Sequence, residues 1–164
     1  MVFDGKPYVI IKMIIEMKRR KFGTHVLLAV VAFLFMGCEK EHQLIDLNQL
    51  PQVSQDFIAD NFKDEQISYI LKDNEVFDRS YEVQFVDRDN IEFSGDGEWE
   101  KVSCYEHAVP SGVLGDKISN YVAQNFPNAH VRQIEKEFNN YEVELNNGLE
   151  LVFDKSFDFV GLND

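Results

Sequence analysis

Two stretches of this 164-residue chain echo one another, and that recurrence limits the folds open to it more than any single motif does. Tyr81-Glu82-Val83-Gln84-Phe85 returns 60 residues later as Tyr141-Glu142-Val143-Glu144-Leu145, and the same spacing sets Ile91 on Leu151, Phe93 on Phe153 and Trp99 on Phe159. Upstream, Phe57-Ile58 and Asn61-Phe62 return 64 residues later as Tyr121-Val122 and Asn125-Phe126. Self-similarity at a fixed spacing predicts a duplicated structural unit. A unit of roughly 55 residues buries too little surface to be stable alone, so two copies are expected to share one core.

Each unit is expected to open with a helix. Val53, Phe57, Ile58 and Phe62 in the first, and Leu114, Ile118, Tyr121, Val122 and Phe126 in the second, recur at steps that line one helical face. Pro127 stops the second helix, and Pro51 and Pro110-Ser111 lie near the starts, where proline is tolerated and Ser111 can cap. The period then changes to two. Tyr81, Val83 and Phe85, then Tyr141, Val143 and Leu145, then Leu149, Leu151 and Phe153 alternate mostly with polar residues, which predicts half-buried strands. Asn146-Asn147-Gly148 signals a hairpin, and Asp87-Arg88-Asp89-Asn90 takes the same place in the first unit. The expected fold class is α+β, a tandem duplication of a helix-plus-four-antiparallel-strand unit with helices packed on one face of a continuous sheet. Repeat 1 covers 50–108 and repeat 2 covers 109–164.

Helices on one face leave the other to water or a partner. If Tyr81, Val83 and Phe85 point at the helices, Glu82, Gln84, Glu92, Glu98, Glu100, Glu142, Glu144, Glu150 and Asp158 point away. Glu82, Gln84, Glu92, Glu98, Glu142, Glu144 and Glu150, with Trp99 as an aromatic anchor, form the candidate binding face. Strict alternation would instead turn Trp99 to the core. Exposed carboxylates keep a sheet soluble and block edge pairing without binding anything. Like charges on neighbouring strands also repel, a local cost that a basic partner or a cation offsets.

The amino-terminal part has another character. Met17-Lys18-Arg19-Arg20-Lys21 is a basic segment, Val26 to Met36 an unbroken apolar run, and Gly37-Cys38 a small-residue-then-Cys junction, the order found in secretory signals. The run of 11 residues falls short of the roughly 20 that span a bilayer as a helix. This segment resembles a bacterial lipoprotein signal over 17–37, which implies cleavage before Cys38 and lipid attachment to its sulfur. Each acyl methylene buried would contribute about 0.8 kcal/mol, so several chains anchor firmly. Residues 1–16 read as an upstream overrun before a start at Met17, and 38–49 as a polar tether. Six of the 16 Lys and Arg and two of the 29 Asp and Glu precede Cys38, so the net charge moves from -13 for the whole chain to -17 without them. Such an acidic surface opposes nucleic-acid binding.

With lipid on Cys38, Cys104 has no intramolecular partner, and it is expected to be a small buried hydrophobe. His42, His107 and His130 are widely separated, and no metal ligand, cofactor or catalytic residue is assigned. Asp87-x-Asp89-Asn90 starts like a calcium loop but lacks the Gly at position six and the Glu at position twelve, so it reads as a turn.

The tandem pattern of Asn-Phe ending a helix, a Tyr-Glu-Val strand, an apolar strand ending in Phe and Phe93-Ser94-Gly95-Asp96-Gly97-Glu98-Trp99 resembles the PepSY-like family over about Leu50 to Leu162. The resemblance implies an exported protein of a Gram-negative bacterium, often a lipoprotein, with a fold similar to the beta-lactamase-inhibitory protein and an inhibitory or protein-binding role. The second copy departs from it at Phe157, where the first has Gly97, so its last hairpin either turns differently or buries another aromatic. The function expected is that of a non-enzymatic binding module, lipid-anchored at the outer membrane and engaging a basic protein surface or peptide. The alternative is an envelope divalent-cation sensor or buffer that uses the acidic face.

Overall fold

The computed structural model describes residues 42–74 and 79–163. Cys38, the signal segment and the upstream stretch lie outside them. In chain order the elements are β1 (His42–Leu44), a 3-10 turn (Leu47–Gln49), α1 (Gln52–Asn61), β2 (Ile67–Asn74), β3 (Arg79–Phe85), β4 (Asn90–Ser94) and β5 (Trp99–Ser103). They continue with α2 (Ser111–Asn125), β6 (Val131–Lys136), β7 (Asn140–Leu145), β8 (Glu150–Asp154) and β9 (Phe159–Leu162). No helix among the described residues is long and apolar enough to cross a membrane.

The tandem helix-plus-four-strand architecture is corrected by this structure. The described residues form one nine-stranded antiparallel sheet in the order β1 to β9, with two helices, and are mostly β. Local patterning specifies strands and turns but not where a ladder ends. Lys101, Val102 and Ser103 of β5 pair with Glu135, Ile134 and Gln133 of β6, so one ladder crosses the join between 50–108 and 109–164. A ninth strand comes from the segment read as tether, where His42 to Leu44 pair with Asp73 to Leu71.

Alternation decides which side chains enter the core. Tyr81, Val83 and Phe85 of β3, Ile91 and Phe93 of β4, and Leu151 and Phe153 of β8 are buried together with Ile58 and Phe62 from the first helical segment and Ile118 and Val122 from α2. Fully burying one such side chain contributes about 1.5–3 kcal/mol. Edge-on ring contacts join the layers, Phe57 to Phe93 at 5.7 Å and Tyr121 to Phe153 at 5.4 Å. Both helices end alike. Asn61 Nδ2 donates to the Phe57 carbonyl at 3.0 Å, and Asn125 Nδ2 to the Tyr121 carbonyl at 2.9 Å.

Two helical details depart from expectation. Val53 is exposed, and Ser54 is buried in its place, donating from Oγ to the Gly97 carbonyl at 2.9 Å. Ser111 makes no capping bond; Pro110 occupies the cap, and Gly115 at φ 68° interrupts α2 after its first turn.

Four hairpins share one turn. In each, a strand's last residue accepts from the amide three residues on and donates to the carbonyl four residues on: Phe85 with Arg88 and Asp89, Ser94 with Gly97 and Glu98, Leu145 with Gly148 and Leu149, and Asp154 with Phe157 and Asp158. The fourth position is left-handed every time, with φ 79° at Arg88, 94° at Gly97, 83° at Gly148 and 60° at Phe157. Phe157 therefore turns the chain as Gly97 does and also packs its ring 4.7 Å from Tyr141. At Gly97 the turn has a second constraint, since a Cβ would lie 2.5 Å from that of Pro51.

Candidate functional site

The sheet face opposite the helices carries most of the predicted residues. Register aligns Glu82 of β3 with Glu92 of β4, Glu92 with Lys101 of β5, Lys101 with Glu135 of β6 and Glu135 with Glu142 of β7. This line of four carboxylates contains one ammonium, which bonds Glu135 at 2.9 Å. Desolvation beside Glu135 and Glu82 raises the Glu92 carboxyl above its ordinary range despite the opposing Lys101 charge. Burial depresses Lys101, but its hydrogen bond to Glu135 and the surrounding carboxylates outweigh that and leave it raised. Glu142 is raised first by desolvation and then by Glu137, Glu150 and Glu135.

A second line is more neutral. Gln84 faces Asn90, Ser103 bonds Gln133 at 3.0 Å, and Glu144, opposite both Gln133 and Glu150, is held by Arg132. Asn90 donates back to Glu82 at 2.8 Å. Glu82, Gln84, Glu92, Glu142, Glu144 and Glu150 thus share the open face, while Glu98 and Trp99 do not belong to these lines.

Trp99 lies at one end of the sheet. A bulge at Glu100 sets Glu92 opposite Lys101 and Phe93 opposite Trp99, which turns the indole to the helix side. On the helix side, which the bulge alone makes reachable for a residue three places from buried Val102, the indole stacks on Phe57 with centroids 6.1 Å apart, and Lys136 Nζ sits 3.9 Å over its ring. Desolvation lowers Lys136, opposed by Glu98, Glu100 and Asp96. These groups border a groove of about 440 Å³ that includes Glu137 and Phe138, whose ring is 87% exposed. Glu98 and Trp99 meet here. A smaller depression of about 210 Å³ on the open face is lined by residues that include His42, Asp73, Glu82 and Glu92.

At the opposite end of β3, three loops bring together side chains that were read separately. Glu65 comes from the connection between α1 and β2, Asp87 and Asp89 from the β3–β4 turn, and His107 from the segment after β5. His107 Nε2 lies 3.4 Å from both Glu65 Oε1 and Asp87 Oδ2, and its Nδ1 lies 3.3 Å from Asp89 Oδ2. Asp89 is 1% exposed; its Oδ1 accepts the Tyr105 amide at 2.9 Å, and its Oδ2 has no hydrogen-bond partner. A hydrogen bond shared with Asp87, then burial and repulsion, raise the Glu65 carboxyl, with His107 opposing. Cys104 is buried as expected, and burial and Asp89 push its thiol far up, which keeps it protonated and unreactive. Arg88 is held away from the cluster by Glu106 at 3.0 Å and by stacking 3.5 Å over Tyr105. Two overlapping groups have the composition of metal ligands, Glu65, Asp87 and His107, and Asp89, Cys104 and His107. Sequence reasoning assigned neither. The pairs Asp87-x-Asp89 and Cys104-x-x-His107 were visible, but only strand register joins them.

Comparison with known proteins gives a consistent result. Residues 79–161 match the family described as "Putative beta-lactamase-inhibitor-like, PepSY-like". A solved "putative periplasmic protein" of Bacteroides vulgatus is 38% identical, with a TM-score of 0.71 over 78% of this chain and 100% of its own. A "putative calcium-regulated periplasmic protein" of Bacteroides thetaiotaomicron is 34% identical, with a TM-score of 0.72 over 76% and 98%. Another periplasmic protein of Bacteroides vulgatus, of unknown function, is 32% identical, with a TM-score of 0.69 over 75% and 99%. No curated protein matches the chain. The periplasmic neighbours are consistent with a place in the cell envelope.

Proposed function

The chain belongs to the PepSY-like family, and on that premise we propose that it is a non-enzymatic binding module of the Gram-negative cell envelope, offering its acidic side to a basic protein surface or peptide. The observation that carries this reading is Lys136, an ammonium seated on the Trp99 ring in a groove bordered by Asp96, Glu98, Glu100 and Glu137. The groove already seats a cation over an aromatic face, and the open face carries four carboxylates to one ammonium along the line from Glu82 to Glu142. A lysine- or arginine-rich segment could continue the same interaction in trans. Lipid on Cys38 would hold the module at the outer membrane.

The test is fluorescence anisotropy with a labelled Lys/Arg-rich peptide. Binding is expected to weaken with salt and to fall at least tenfold when Glu82, Glu142 and Glu144 are all changed to Lys. Unchanged binding in that triple variant would reduce the face to a solubilising surface. Lipid attachment is checked separately by fatty-acid labelling, expected to disappear in Cys38→Ala.

A second reading, an envelope divalent-cation sensor or buffer on the same acidic face, draws support from the neighbour described as calcium-regulated. It is favoured here by the direct opposition of Glu135 to Glu142 and of Glu144 to Glu150, which a divalent ion would relieve. Millimolar calcium should then raise the melting temperature along a saturable curve that sodium at equal ionic strength does not reproduce.

A further inference from the structure

The loop cluster at the far end of β3 supports an inference independent of the acidic face. It begins with Asp89, whose burial makes an unmet oxygen costly: an uncompensated buried polar group typically loses about 1–3 kcal/mol. Its Oδ2 faces His107 Nδ1 at 3.3 Å. A small turn of the ring would let a protonated Nδ1 answer that oxygen, and in the neutral imidazole the lone pair then lies on Nε2. Nε2 in turn faces Glu65 Oε1 and Asp87 Oδ2, each at 3.4 Å. Three electron-pair donors converge with nothing between them except a proton or a metal ion.

Ligand atoms at about 2.0–2.1 Å from a tetrahedral zinc ion stand about 3.3 Å from one another, and His107 Nε2 lies 3.4 Å from each of the two carboxylate oxygens. The side chains of Glu65, Asp87 and His107 are 28%, 32% and 45% exposed, so solvent can reach a fourth position.

We propose that His107 Nε2, Glu65 Oε1 and Asp87 Oδ2 bind one divalent cation of the zinc class, with Asp89 as the buried carboxylate that orients the imidazole. This is the carboxylate–histidine–metal relay common around such ions. Calcium fits poorly, because it takes six to eight oxygens at 2.3–2.6 Å and one of these three donors is nitrogen. The alternative set through Cys104 would require a buried thiol to ionise beside Asp89.

Isothermal titration of the full chain in detergent with zinc, calcium and magnesium chlorides tests the site. One equivalent of zinc is expected, with calcium and magnesium at least tenfold weaker. His107→Ala and Glu65→Gln, both at solvent-accessible positions, should each weaken zinc at least tenfold, and Asp89→Asn about tenfold through loss of orientation. If Asp89→Asn fails to fold, the other two variants carry the test. Cobalt loading should give visible ligand-field bands without a thiolate-to-cobalt charge-transfer band. That charge-transfer band would overturn the assignment in favour of the Cys104 set. Absence of zinc binding, equal calcium affinity, or zinc affinity unaffected by His107→Ala but abolished by His42→Ala would each overturn the proposal.

Discussion

The β3–β4 and β7–β8 hairpins are built on one turn and carry different chemistry. Both place a left-handed residue fourth, Arg88 in one and Gly148 in the other, and both brace the next amide with an aspartate or asparagine side chain, Asp87 Oδ1 to Asp89 N at 3.3 Å and Asn147 Oδ1 to Leu149 N at 3.2 Å. The residue after that differs in fate. Asp89 is 1% exposed and Leu149 is 37% exposed. The segment after β5 folds back over Asp89 and donates the Tyr105 amide to it, and among the described residues the ligand-like groups gather only at this first turn. Backbone shape at a turn follows from local residues. Chemistry there depends on what covers it.

The strongest way to break this contrast is Asp89→Leu, which gives the first turn the residue of the second. Stability should fall by about 1–3 kcal/mol, because the Tyr105 amide loses its buried acceptor, and urea unfolding would measure it. An unchanged midpoint would mean that the covering segment does not depend on Asp89. Gly148→Arg imposes the first turn's strain on the second and should cost about 1 kcal/mol by the same measurement. The reverse exchange, Arg88→Gly, is expected to stabilise by less than about 1 kcal/mol, since relief of the left-handed backbone is offset by loss of the exposed contacts to Glu106 and Tyr105. A clear drop in melting temperature would instead show that those contacts hold the loop.

The smallest effect concerns the open face beside each hairpin. Glu82 receives a hydrogen bond from Asn90, whereas Glu142 lies near Glu150 and is raised. A raised carboxyl binds its proton more tightly in the folded state than in the unfolded chain. Its stabilising contribution is therefore full at low pH and lost as pH rises through the raised value. Glu142→Gln should raise the melting temperature slightly at pH 7, with the gain vanishing at about pH 3, below the ordinary glutamate range.

The parts legible in sequence were those encoded by neighbours along the chain. Tyr81-Glu82-Val83 and Leu151-Val152-Phe153 reveal strands because burial alternates with the pleat, and Asn146-Asn147-Gly148 reveals its turn because Gly148 adopts φ 83° without a Cβ penalty. What required register was hidden. Glu65, Asp87, Asp89 and His107 span more than 40 residues and meet only because β2 pairs β3 and Asn90 of β4 pairs Ser103 of β5. The recurrence between Tyr81 and Tyr141 was real as sequence, yet it did not give two helix-plus-four-strand units, since the pairing of His42–Leu44 with β2 cannot be read from alternation. Val53 was misplaced for a smaller reason: one step of helical phase put Ser54, not Val53, against Gly97.

The strictly sequential strand order has a kinetic consequence. Every strand hydrogen-bonds only to its neighbours in the chain, so most pairings close through short hairpins at little cost in loop entropy. Two of them, β1 with β2 and β5 with β6, must wait for the chain to pass through a helical segment. Folding of such a meander is expected to be governed by those two closures, and it is the second, at Val102 and Ile134, that turns separate hairpins into one protein.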